Sequence, residues 1–171
     1  MAAEGPVNPV IIPPTADLVV TGESVSIKLS PLFQALLNSA THLLSIGQHG
    51  AAVLVAQTAI EVCTERVIAK SLEKRGAGFL QGWIHLRTRP YSLGTSPKTK
   101  ALYQLVTGDV KIGQAPFWRR LTKHVKRRHA VGHRGQAVDL ADAQDSVRVA
   151  GEAIQYLSAL ADRLGLDLSD R

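Results

Sequence analysis

The most regular pattern of apolar positions lies near the end of the chain. Leu140, Val147, Ile154 and Ala161 recur every seven residues, interleaved with Ala143, Ala150, Leu157 and Leu164, until Gly165 interrupts them. Steps of three and four residues place these side chains on one side of an α-helix. Asp139 stands where a carboxylate caps the first turn. The seam is narrow, so the pattern predicts a helix that packs on a bundle by one stripe and keeps a wet, charged outer face. A second helical run begins at Ser30, read as the N-cap, with Pro31 in the first helical position. Leu32, Leu36, Ala40, Leu43 and Leu44 follow, and Gly47 or Gly50 is the stop. Residues 51–74 are apolar almost all round in their first half and predict the buried central helix.

Ser96 and Pro97 repeat the opening signal for a short helix that ends near Gly108, and Pro116 opens another carrying FWRRLTKHVKRRHAVGH. The stretch GAGFLQGWIHLRTRPYSLGTSP is a long connection with room for a short helix over residues 79–86. Its Trp83 and Tyr91 are expected to anchor it to the core. Together these elements predict an all-α fold, a bundle of about five helices over residues 30–166, followed by a short tail at 167–171. Residues 1–29 form an N-terminal arm, extended or a short β-hairpin. Its first half is rich in proline (Pro6, Pro9, Pro13, Pro14), and Val25, Ile27 and Leu29 alternate after a Thr-Gly turn signal.

Composition narrows the function classes. A chain of 171 residues is about one domain long, and 45% hydrophobic with 5% aromatic residues favours packed helices over an aromatic-rich sandwich. The single cysteine, Cys63, allows neither a disulfide framework nor a cysteine-based zinc cluster within one chain, and its apolar surroundings predict a small core residue. No stretch approaches the roughly 18 apolar residues of a membrane span. The N-terminus also lacks the basic and apolar regions of a secretory signal. A soluble protein of the reducing cytoplasm, not bound to a membrane, is the expectation.

The net charge of +6 matters mainly through its placement. Residues 110–138 hold no Asp or Glu, whereas Lys111, Arg119, Arg120, Lys123, Lys126, Arg127, Arg128 and Arg134 all fall there. Such a cationic field attracts polyanions, nucleic acid first among them, and also acidic proteins. Wound as one helix at about 100° per residue, residues 117–132 put Phe117, Trp118, Leu121, Val125 and Gly132 on one side. Arg119, Arg120, Lys123, Lys126 and Arg127 fall on the other, as an ordinary amphipathic helix requires. Arg128 does not fit this division. It falls about 30° from the centre of the apolar side, where a guanidinium needs an acceptor beside it. Glu61 lies in an apolar row of the central helix, seven residues from Leu54 and from Ile68, so a Glu61–Arg128 pair is expected.

His129 and His133 share a helical face next to Arg128. The H-x3-H pair has no intervening glutamate and no evident third ligand, so neither a metal nor another cofactor is expected. Gly132 and Gly135 flank His133 and predict that the helix weakens or ends there, leaving the ring accessible. A histidine in a cationic setting is biased toward the neutral form that a general base requires. Residues five apart on a straight helix point about 140° away from each other, so Arg128 and His133 face one cleft only if the helix bends or Arg128 reaches around.

RHAVGH fits R-x4-H with a polar residue after the arginine. With the glutamate-bearing AIEVCTERVI, the trailing HRG and the long closing helix, it resembles the HEPN (higher eukaryote and prokaryote nucleotide-binding) family over roughly residues 30–165. Arg119 and His124 have the same spacing, but Arg119 lies on the solvent side and lacks those neighbours. The resemblance implies a metal-independent endoribonuclease that works as a homodimer, with motifs from two subunits meeting in a shared cleft. His133 would assist attack of a ribose 2′-hydroxyl on the adjacent phosphodiester, and Arg128 would orient and neutralise the phosphate. His129 stands where the family often has asparagine or aspartate. Arg119, Arg120, Lys123, Lys126, Arg127 and Arg134 would contact RNA phosphates without regard to sequence. The family implies a toxin or antiviral-defence role, beside an antitoxin or regulatory protein. The alternative is a non-catalytic module of the same shape that binds RNA, a nucleotide or an acidic partner protein.

Overall fold

A computed structural model of the chain describes residues 16–21, 24–88 and 91–169. Six α-helices occur among them: α1 (Leu32–Ser45), α2 (His49–Lys74), α3 (Gln81–Thr88), α4 (Pro97–Thr107), α5 (Trp118–Arg134) and α6 (Leu140–Leu164). Single turns of 3-10 helix at Gly78–Leu80 and Ile112–Gln114 lead into α3 and toward α5. The all-α expectation holds, and the helix added to the expected five is α3, within the long connection. Two short strands, β1 (Ala16–Thr21) and β2 (Ser24–Leu29), pair antiparallel with Ala16 opposite Leu29 and Thr21 opposite Ser24. The Thr-Gly turn after Thr21 and the proline-rich first half of the arm lie outside the described residues.

Helix α2 is the axis of the bundle. Ala52, Val53, Ala56, Ala59, Ile60, Cys63, Val67 and Ile68 are all buried along it, against α1, α6, α5 and α4. Its small residues let neighbouring helices approach closely, and filling such an interior with methyl and methylene groups contributes about 25 cal/mol per Å² of apolar surface removed from water. Cys63 is part of this interior. Burial pushes its thiol up to about 12, with Arg66 opposing weakly, so it packs as a small hydrophobe and is not a nucleophile.

Several details differ from the sequence expectation, the start of α2 at His49 among them. Helix α1 begins at Leu32, with Pro31 as its cap residue at φ −53° and ψ 142°, and the Pro31 carbonyl accepts from the amides of Gln34 and Ala35. The fixed φ of proline suits the extended cap as well as the first helical turn, so the sequence signal is one residue ambiguous. The buried face of α6 is wider than the seven-residue seam, because Ser146, Val149, Ala153 and Leu160 are also buried while Leu140, at the helix start, is exposed. The chain after α6 is not a free tail through residue 169. Leu166 and Leu168 are buried in the core, and Arg66 Nη1 donates to the carbonyls of Leu168 and Ser169 at 3.2 and 2.7 Å.

The buried side of α5 holds one group that apolar periodicity does not foresee. His124 is 0% exposed, and neither ring nitrogen has a hydrogen-bond partner among the described residues. Burial first, then the positive charge of Arg127, lowers its pKa from 6.5 to about 4; Asp145 opposes the shift and Arg128 adds to it. The folded-state pKa lies below the unfolded one, so the unfolded chain binds the extra proton between these values. Stability is therefore full above about 6.5 and is lost as pH falls toward 4. The loss is on the order of 3 kcal/mol. Urea unfolding followed from pH 7 to pH 4 should show this decline, and His124→Leu should flatten it while raising stability at pH 5 by about 1–3 kcal/mol.

Candidate nucleic-acid interface

Helix α5 runs without a break from Trp118 to Arg134 and ends where Gly135 adopts the left-handed conformation at φ 61°. The Gln136 amide reaches back to the Ala130 carbonyl. Of the two glycines expected to weaken or end the helix, Gly135 ends it and Gly132 lies inside its unbroken run. The cause is tertiary: a methyl group placed on Gly132 would sit 3.4 Å from Leu54 Cδ2, and one on Gly50 would sit 3.4 Å from Val131 Cγ1. Close packing of α2 on this turn offsets the roughly 1 kcal/mol that glycine costs in a helix interior.

An unbroken helix separates the two residues of the motif. Arg128 is half-buried, on the α5 side that also carries buried Leu121, His124 and Val125, whereas His133 is exposed. His129 and His133, one turn apart, are both exposed and lie ring against ring at 4.4 Å between centroids, tilted by 42°. Arg134 is exposed beside them. No hydrogen bond or ion pair joins Arg128 to Glu61 among the described residues. Glu61 instead accepts from Gln57 Nε2, one turn earlier on its own helix, at 2.7 Å. An i, i+4 amide on the same face supplies the donor that the expected guanidinium was to supply. The second sequence match also comes apart, since Arg119 is exposed and His124 fully buried.

The basic stripe divides in two. Arg120 pairs with Glu152 on α6 and lies 3.9 Å from Asp145. Arg127 pairs with Asp142, donates to the buried Ser146 hydroxyl at 2.6 Å and lies 3.9 Å from Asp145, so only 15% of its side chain is exposed. These two arginines, expected to face solvent and contact phosphate, are fastenings between α5 and α6. Arg119, Lys123, Lys126 and Arg134 remain exposed, and none has an ion-pair partner among the described residues. The missed signal was a matched offset. Arg120 and Arg127 are seven apart, as are Asp145 and Glu152, which aligns two antiparallel helices charge to charge. Ser146 gave no signal, because a lone serine in an apolar stripe looks like a gap in it.

The exposed part of α5 thus carries four cations without an ion-pair partner among the described residues, and two accessible imidazoles toward its end. Such a surface attracts phosphates and offers groups able to accept and donate protons beside them. Among the described residues no helix is long and apolar enough to cross a membrane. Comparison with protein-family models, with curated proteins and with solved structures finds no match to this chain.

The division of the stripe is measurable as stability. Arg127→Met should cost about 2 kcal/mol in urea unfolding, because it strands the Ser146 hydroxyl and the acidic edge of α6. Lys126→Met should change it by less than about 0.5 kcal/mol.

Proposed function

We propose that the chain binds RNA along the exposed face of α5 and cleaves it without a metal ion. The observation that carries this reading is the paired exposed imidazoles of His129 and His133, on a helix that also exposes Arg119, Lys123, Lys126 and Arg134 in a segment free of acidic residues. The cations would hold the phosphate backbone. Neutral His133 would take the proton of a ribose 2′-hydroxyl as its oxygen attacks the adjacent phosphorus, and His129 would give a proton to the departing 5′-oxygen. The products are a 2′,3′-cyclic phosphate and a free 5′-hydroxyl, and no cofactor enters. Arg128, half-buried on another side of α5, would neutralise the phosphate only from a second copy. The resemblance to the HEPN family supports the same assignment. It adds a homodimer in which a second copy supplies the Arg128 that one straight helix turns away from His133. In that setting the chain would be a toxin or a defence ribonuclease, restrained by a partner with an acidic face.

The second reading, an RNA-binding module without catalysis, is favoured by one specific observation: α5 does not bend at Gly132, so one copy does not present Arg128 and His133 to the same phosphate. Incubation with a labelled RNA oligonucleotide in the presence of chelator separates the two. The first reading expects cyclic-phosphate ends and a fall in rate of about 10²- to 10⁴-fold in His133→Ala, with RNA binding retained. Binding without cleavage by the wild type supports the second reading. No binding at low salt would overturn both.

A further inference from the structure

A second constellation lies away from α5. Leu54, which meets α5 at Gly132, and Glu65 are eleven residues apart on α2, roughly 16 Å along its axis. There α2, α3 and Tyr91 line an open cavity of about 260 Å³. Ile68, Ala69, Leu72 and Ile84 give it an apolar wall, Tyr91 is buried at its edge, and His85 lies across it from Tyr91 with ring centroids 6.1 Å apart. His85 is held from α2, its Nδ1 lying 2.8 Å from Glu65 Oε1. Of the other polar groups of the wall, Glu65 lies against His85, and the Gln81 amide is already committed to the Ala69 carbonyl and to Glu73. Gly82 leaves the mouth open, since a methyl group there would meet nothing within 4 Å.

In the neutral ring a carboxylate beside Nδ1 favours the tautomer with its proton there, which leaves Nε2 as the acceptor, and Nε2 has no partner among the described residues. An acceptor in a mostly apolar cavity selects for a ligand that is apolar over its body and donates one hydrogen bond. A charged ligand would lose its hydration against Ile68, Leu72 and Ile84, and an anion would in addition meet the Glu65 carboxylate. At 260 Å³ the space is below the roughly 300 Å³ at which drug-sized sites begin, which sets the ligand at one or two fused rings.

We propose that this cavity is a binding site for a small, uncharged, ring-shaped molecule bearing one N–H or O–H donor, which is received by His85 Nε2 and seated on Ile68, Ala69 and Ile84. Glu65 is a positioning residue, since it acts through His85. The site is independent of the RNA reading and stands or falls separately from it.

The probe is indole, a two-ring N–H donor, set against benzofuran, the isostere in which oxygen replaces the N–H. Each is titrated into the full chain and followed by ¹H–¹⁵N correlation spectra. Indole should shift the amides of Ala69, Gly82 and His85 and bind at least about tenfold more tightly than benzofuran, because a site built around a hydrogen bond rejects the analogue that lacks it. His85→Leu should bring the two probes to within about twofold of each other. Glu65→Gln, which can either donate to or accept from Nδ1, should narrow the preference to about threefold. Gly82→Leu adds a side chain at the mouth in a helix that favours it, and should weaken indole at least about tenfold without lowering the thermal midpoint. Shifts confined to other residues, equal binding of the two probes by the wild type, or unchanged indole binding in Gly82→Leu would each overturn the proposal.

Discussion

Arg120 and Arg127 reach from α5 to Glu152, Asp142 and Asp145 on α6, and the rest of the surface chemistry depends on that clasp. A strongly basic helix could settle on the bundle in several rotations about its axis, since its apolar stripe is short. Two guanidinium groups seven residues apart, facing carboxylates seven residues apart on an antiparallel neighbour, select one rotation. Apolar burial alone would not select so sharply. With the rotation set, His124 is turned fully inward, Arg128 to the margin, and His129 and His133 outward. The rotation that pairs these arginines with α6 is also the one that leaves the two imidazoles outward.

Close packing on the opposite side acts in the same direction. Gly50 and Gly132 let α2 and α5 come within ordinary contact distance of each other's side chains, and this keeps the last turn of α5 helical as far as Gly135. The interior accepts a cost for this arrangement. His124, Gln57, Thr64, Ser71 and Thr99 each carry a buried polar atom without a partner among the described residues. Gln57, Thr64 and Ser71 lie seven apart along α2, so the central helix carries a polar row inside its apolar surround. Each such atom costs about 1–3 kcal/mol if left dry. A protein that tolerates them obtains its stability from the alanine-rich packing of α1, α2 and α6.

Much of the fold could be read before any coordinates. Ser96 and Asp139 do cap α4 and α6, accepting from the amides of Thr99 and Asp142, because a cap is a local interaction between residues three apart. The stop at Gly108 and the stop at Gly165 are legible for the same reason, as both residues take positive φ. What depended on partners in other helices was not legible. Gly132 allowed a break in α5, and the continuous helix there, with α2 packed against that turn, could not be read from the sequence. The expected Glu61–Arg128 pair treated two misplaced charges as partners, although Gln57 was nearer to Glu61 along its own helix. Arg120 and Arg127 were counted among phosphate contacts because a helical wheel separates polar from apolar positions but does not reveal an acidic neighbour. Glu65 and His85 gave no signal at all, since the irregular turn between α2 and α3 hides their proximity.

The polar residues of α5 divide three ways: Arg120 and Arg127 fasten to α6, His124 is buried at a cost, and Arg119, Lys123, Lys126, His129, His133 and Arg134 are exposed, where the proposed RNA would lie. This division is tested most directly by following the histidine ring resonances of the wild type while a short single-stranded RNA is added at low salt. The rings of His129 and His133 should shift together, with His124 and His85 unmoved. Shifts at His85 instead, or no movement at His129 and His133 while RNA binds, would contradict the assignment.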